Sequence, residues 1–152
     1  MGLSALVLIV DFLTKRYFES QFFPGEVRPV TSFFNLVLAH NRGAAFSFLA
    51  GHDGWQLYFF SLIAIVAAIL CVYFIGKHST QRLFCLALSL IMAGAVGNLI
   101  DRILYGYVVD FLDFYLGHWH WPAFNVADIA IVCGAGLLIL ESFLEEKLNS
   151  KH

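Results

Sequence analysis

In a chain this apolar, five aspartates need explaining first. Asp11, Asp101, Asp110, Asp113 and Asp128 stand at or beside the ends of long hydrophobic runs, in the company of Lys15, Asn98, Arg102 and Asn125. A charge at the centre of a bilayer costs about 2.5–3.5 kcal/mol on insertion scales, so such residues are kept where they pair or work. Asp110 and Asp128 flank a return through His118-Trp119-His120-Trp121-Pro122, so the two carboxylates could meet across adjacent chain ends. Two close carboxylates do not both ionise readily, and one then holds a proton near neutrality. That is the arrangement by which an acid and a base together activate water. No Ser/His or Cys/His constellation is comparably placed.

Each polar group also has a purely structural reading. Asp11 and Lys15 are spaced i,i+4 and can pair on one helix face. Asn98, Asp101 and Arg102 share a face of another helix, where Asp101 and Arg102 could end a span as an interfacial pair. Asn125 is a natural N-cap with Asp128 as its capping-box partner, and negative charge is favoured at a helix N-terminus. Gly94 and Gly97 most simply allow close helix approach. Caps alone, however, do not require five carboxylates beside one set of helix ends. The spacing makes a dyad possible and leaves capping open.

The elements that must position these groups follow from composition. Of 152 residues, 60% are hydrophobic and 13% charged, against about 45–50% and about 25% in soluble domains. A soluble globule and a disordered chain are both excluded. The net charge is −2 without a basic block, so nucleic acid is not an expected partner. Spanning a bilayer takes about 20 apolar residues, and runs at about 57–76, 83–104 and 124–144 meet that length. A weaker fourth at about 1–18 carries Asp11, Lys15 and Arg16; it lacks the basic start and cleavage site of a signal peptide and reads as a retained helix. Four spans put both termini and the 77–82 linker on one side and the polar ends on the other. Lys and Arg are nearly evenly divided between the two sides, so charge leaves the orientation open.

The stretches at 32–38 and 105–115 are β-prone and aromatic. Open sheet edges cannot face lipid, so these pieces are expected to form a small sheet at the membrane interface. The predicted fold is a single membrane domain over 1–152, all-α with a small β element, whose β-rich interfacial regions are 21–56 and 105–120. Cys71, Cys85 and Cys133 form no CxxC pair, and His118 and His120 beside Trp119 and Trp121 read as an aromatic belt. No metal site is expected. Two other classes stay open on the residues alone: a small transporter or channel, since intramembrane carboxylates also line ion pathways, and an assembly subunit whose polar groups only join helices.

Five segments carry a specific resemblance: Asp11-Phe12-Leu13-Thr14-Lys15, Asn41-Arg42-Gly43-Ala44-Ala45-Phe46, Gly97-Asn98-Leu99-Ile100-Asp101-Arg102, Val109-Asp110-Phe111 and Phe124-Asn125-Val126-Ala127-Asp128. In this order and over nearly the whole chain, they resemble the bacterial lipoprotein signal peptidases, signal peptidase II. The resemblance implies four transmembrane helices, a β-cradle and a short helix on the periplasmic side, and cytoplasmic termini in the inner membrane. It implies an aspartic endopeptidase that cuts diacylglyceryl-modified prolipoproteins just before the lipid-modified cysteine, and a monomer is expected. By motif, Asp110 and Asp128 would be catalytic. Asn41, Gly43, Asn98, Arg102 and Asn125 would position substrate and dyad, with Asp11, Lys15 and Asp101 in support. Prolipoprotein and membrane lipid are the implied partners, and no cofactor is implied.

Overall fold

Three runs of this chain are long and apolar enough to cross a bilayer as helices, and in the computed structural model all three are helical. The structure describes residues 2–43 and 54–149. Helix α1 is Gly2–Gln21, α2 Trp55–Lys77, α3 Arg82–Tyr105 and α4 Val126–Asn149. Among the described residues the three candidate membrane helices are Trp55–Lys77, Arg82–Tyr105 and Val126–Leu144. The expected fourth span, α1, forms as a helix but carries Asp11, Lys15, Arg16 and Glu19, which composition alone counts against it. The apolar run ahead of Asp128 is not helical throughout: α4 starts at Val126 because Asn125 caps it.

Helix α3 lies at the centre. It buries Ala87, Ala93, Gly94, Ala95 and Gly97, whereas α2 buries only Gln56, Ala64 and Cys71. Small residues let backbones approach where lipid supplies no hydrophobic drive between helices. A Cβ on Gly94 would collide with the Ala127 carbonyl of α4, and one on Gly97 would stand 2.7 Å from Asp11 Oδ2 of α1. Gly94 thus serves helix packing, while Gly97 makes room for a carboxylate. On α2, Tyr58, Leu62, Ile69 and Tyr73 stay exposed, an apolar surface suited to lipid.

The expected sheet forms. Strands β1 (Val27–Thr31), β2 (Phe34–Asn41), β3 (Val108–Leu116) and β4 (Trp119–His120) run antiparallel in that order. Phe18 and Phe22, at the end of α1, pack with Leu38, Val109 and Phe111, and the Phe18 and Phe111 rings stack 4.3 Å apart. Such an aromatic pair adds about 0.5–1.5 kcal/mol beyond its buried area, and it holds β3 against α1. Among the described residues of 21–56 and 105–120 there is no short helix. Residues 44–53, which include the end of the Asn41 motif, lie outside the described residues.

A bulge in β2 sets which side chains face the helices. Leu36 pairs with Leu112 but Ala39 with Asp110, so β2 carries one extra residue between them. A one-residue shift sends the following side chains to the other face. Asn35 and Asn41 would otherwise share a face. Because of the bulge, Asn35 joins Asp113 and Asn41 joins Asp110, which themselves point to opposite faces by strand alternation.

Candidate active site

Where α1, α3 and α4 meet the sheet, Lys15 is 1% exposed and surrounded by acceptors. Its ammonium lies 2.8 Å from Asp11 Oδ2 and 3.2 Å from Asp101 Oδ2, and it donates to Asn98 Oδ1 at 3.0 Å. Three protons meet three acceptors, which is the condition for keeping such a charge out of water. The two carboxylates extend the network to backbone: Asp11 Oδ1 accepts from Ala127 N at 2.8 Å, and Asp101 Oδ2 from Val109 N at 3.1 Å. One cluster thereby fixes α1, α3, the N-terminus of α4 and the strand residue beside Asp110. Asp101 pairs with Lys15 and Arg16 rather than with Arg102, because adjacent helix residues do not face one another.

Three asparagines carry this order to the aspartates. With its carbonyl on Lys15, Asn98 presents its amide nitrogen to Asp128 Oδ1 at 2.8 Å. The fully buried Asn125 donates to Asp110 Oδ1 at 2.7 Å and to Asn98 Oδ1 at 3.1 Å. Asn125 and Asp128 also form the reciprocal capping box: Asp128 N donates to Asn125 Oδ1 at 3.0 Å and Asn125 N to Asp128 Oδ2 at 3.1 Å. Capping is therefore real, and it aims Asp128 at Asn98 besides. On the sheet side, Asn41 donates to Asp110 Oδ2 at 3.0 Å while its own carbonyl accepts from Gly43 N at 2.9 Å. Gly43 has φ +101°, and a Cβ there would stand 2.9 Å from the Gln56 Cβ. Only glycine permits the turn that orients Asn41.

Asp110 is 3% exposed. Burial, reinforced by the nearby charge of Asp128, pushes its pKa up to about 7, against the opposing effect of Asn41, Asn125 and Lys15. Asp110 is thus half-protonated at neutral pH, as one member of a carboxylate pair must be. Beside the pair, a cavity of about 270 Å³ runs between α2, α3 and α4, lined by Phe60, Ala64, Ile91, Asn98, Arg102 and Asp128. Arg102 donates only a long bond, 3.4 Å, to Asn98 O, and its buried Nε has no hydrogen-bond partner among the described residues. A second apolar groove of about 300 Å³ reaches Asp128 past Trp121, Phe124, Ile129 and Val132.

Asp11, Lys15, Asn41, Gly43, Asn98, Asp101, Arg102, Asp110, Asn125 and Asp128 gather at this one place, whereas Asp113 faces the other side of β3. Of the three cysteines, Cys71 is buried in α2 and Cys85 lies in the first turn of α3, while Cys133 lines the second groove without bonding either aspartate. Among the described residues no group of three or more His, Cys, Asp or Glu is arranged to hold a metal. Sequence reasoning passed over Asn35 and His120, which bind Asp113. Their only signal was an aspartate, an asparagine and a histidine on β-prone segments.

The chain has relatives in sequence and in fold. The sequence profile described as signal peptidase (SPase) II covers residues 3–144. The chain belongs to the signal peptidase II family. A lipoprotein signal peptidase of Janthinobacterium sp. (strain Marseille) is 56% identical over 141 residues, 93% of this chain and 86% of the relative. One from Ralstonia nicotianae is also 56% identical, over 93% of this chain and 82% of its own length. A solved structure of a bacterial membrane enzyme at 2.3 Å resolution is similar in fold, with a TM-score of 0.82 and 35% identity, covering 98% of this chain and 92% of that one. As a member of signal peptidase II, the chain is a membrane-embedded peptidase.

In this signal peptidase II the buried Asp110 should lower stability as pH rises. The folded chain keeps the Asp110 proton up to about pH 7, whereas an unfolded chain releases it near the ordinary value of 3.8. Folding therefore loses stability as pH climbs between these values, because the unfolded state then binds fewer protons than the folded one. Asp110→Asn removes that loss. Thermal unfolding in detergent should show the variant's midpoint, relative to the unsubstituted protein, rising from pH 5 to pH 8. A difference independent of pH would contradict the raised affinity for a proton.

Proposed function

We propose that the chain is an aspartic endopeptidase that removes the signal peptide from diacylglyceryl-modified prolipoproteins, with Asp110 and Asp128 as the catalytic pair. The observation that carries this reading is two carboxylates joined through Asn125 and Asn98, of which Asp128 lines both apolar grooves. Asp128, oriented by Asn98 and the start of α4, takes a proton from water. The resulting hydroxide attacks the carbonyl that precedes the lipid-modified cysteine, and Asp110 gives its proton to the carbonyl oxygen. The tetrahedral carbon then collapses: its C–N bond breaks, the proton held by Asp128 passes to the departing amine, and Asp110 recovers its own. Acid and base are supplied together near neutral pH.

Around this chemistry, Asn41 and Asn125 orient Asp110, Asn98 orients Asp128, and Gly43 fixes Asn41. Arg102, with donors to spare and its guanidinium lining the cavity, holds substrate oxygens in a planar fork. The grooves on either side of α4 suit a substrate with two apolar arms, a signal helix and a pair of acyl chains. Substrate arrives by diffusion within the membrane, retained by about 0.8 kcal/mol per buried CH₂.

We read α1 as the fourth span. Its 20 residues reach about 30 Å as a helix, Asp11 and Lys15 are turned inward and paired, and Leu6, Ile9, Leu13 and Tyr17 face outward. In this reading the protein is a monomer in the bacterial inner membrane, with the sheet on the outer side and both termini in the cytoplasm. In a cysteine-free background, Ser32→Cys in the β1–β2 turn should react with an impermeant thiol reagent on intact cells, and Ser79→Cys in the α2–α3 linker should not. The reverse pattern would overturn the orientation.

Catalysis is tested by separating chemistry from capping. Asn caps a helix about as well as Asp, so Asp128→Asn should fold yet cleave a lipidated prolipoprotein at least about a thousandfold more slowly. Asp110→Asn should behave likewise, the double variant should be no worse than either, and Asp113→Asn should keep measurable turnover. Near-normal cleavage by Asp110→Asn or Asp128→Asn would end the aspartic-peptidase reading.

A further inference from the structure

The face of β3 opposite Asp110 holds a second polar cluster that the dyad does not use. Asp113 is 7% exposed. Its Oδ2 accepts from Asn35 Nδ2 of β2 at 2.8 Å, and His120 Nδ1 of β4 lies 2.9 and 3.0 Å from its two oxygens. An ionised carboxylate only accepts, so Nδ1 bears the hydrogen. The His120 ring lies flat on Tyr115, centroids 5.1 Å apart at 15°. Tyr115 in turn donates its hydroxyl to Thr31 O of β1 at 3.1 Å. One carboxylate joins three strands, and the stacked ring reaches the fourth.

This cluster stands where backbone pairing is weakest. Strand β4 makes two ladder pairs, Tyr115 with His120 and Leu116 with Trp119, and so short a pairing is marginal by itself. Apolar burial does not secure the segment either, since Trp119 is 62% and Trp121 56% exposed. Yet the return continues directly into the site. Trp121 N donates to Phe114 O, Phe124 N to Leu112 O, and Phe124 O accepts from Phe111 N and Leu112 N. The next residue is Asn125, which binds Asp110 and caps the turn bearing Asp128.

We propose that Asp113 and His120 form a positioning clamp that fixes the return over 117–124 and so holds Asn125 and Asp128 in register with Asp110. The proposal rests on the catalytic reading of Asp110 and Asp128. Neither clamp residue touches the reacting atoms; both act through the backbone between His120 and Asn125.

The test uses the purified full chain cleaving a lipidated prolipoprotein across pH. His120→Phe keeps a ring on Tyr115 and removes the donor, His120→Asn keeps a donor near the Nδ1 position and removes the ring, and Asp128→Asn reports on the dyad. His120→Phe should lower kcat about tenfold with KM within about twofold, and His120→Asn should restore most of it. The charged groups around Asp110 are Asp128 from α4, Lys15 from α1 and Arg102 from α3. If Asp128 drifts away, Asp110 gives up its proton more easily, so the alkaline limb of kcat/KM should move to lower pH by about half a unit in His120→Phe. His120→Asn should return that limb to its place. Wild-type kcat in His120→Phe would overturn the clamp, as would a loss shared by both His120 variants with the limb unmoved, which is what bare destabilisation produces. An active Asp128→Asn protein would instead overturn the dyad beneath it.

Discussion

An ammonium group can only donate hydrogen bonds, and the arrangement of the site descends from that one constraint at Lys15. Buried among Asp11, Asp101 and Asn98, it requires a carbonyl oxygen from Asn98 and so forces the amide nitrogen of that residue toward Asp128. Asn125 then fills the remaining lone pair of the Asn98 carbonyl and turns its other hydrogen to Asp110. An amide flipped at either position would put donor against donor. Removing one partner of such a buried pair leaves a charge uncompensated, at about 3–5 kcal/mol. Helix placement and amide orientation are thereby enforced by the same contacts.

The same economy appears at Asp128. Its Oδ2 closes the capping box that starts α4, and its Oδ1 faces Asn98 at the cavity. A helix N-terminus favours a negative charge, whereas the strand site of Asp110 offers two amide donors and deep burial. Burial and the neighbouring charge of Asp128 raise the proton affinity of Asp110 in that strand site. Their placement at the junction of helix ends and sheet leaves non-helical backbone paired within protein, as a membrane demands.

Much of this was legible in sequence, for physical reasons. Spans α2, α3 and α4 are plain because lipid selects long apolar runs. The Asp11–Lys15 pair and the Asn125–Asp128 cap are plain because their spacings are local to a helix turn. Helix α1 was harder, since its charges count against a span by composition, and that Asp11 and Lys15 turn inward shows only in the fold. The bulge between Leu36 and Ala39 left no mark in the residue pattern, so nothing foretold that Asn35 and Asn41 serve opposite faces. His120 was read as part of an aromatic belt. Its bond to Asp113 depends on strand register, which local spacing does not encode.

The central claim is that Asp110 shares a buried site with Asp128 and keeps a proton up to neutral pH. Infrared difference spectroscopy of the intact protein in lipid, titrated between pH 5 and pH 9, addresses it directly. The claim requires a protonated-carboxyl stretch that disappears with a midpoint near 7, the value set by burial and by Asp128, and that is missing from Asp110→Asn. A spectrum with no carboxyl titrating near neutrality, or one whose neutral-pH band survives in Asp110→Asn, would contradict it.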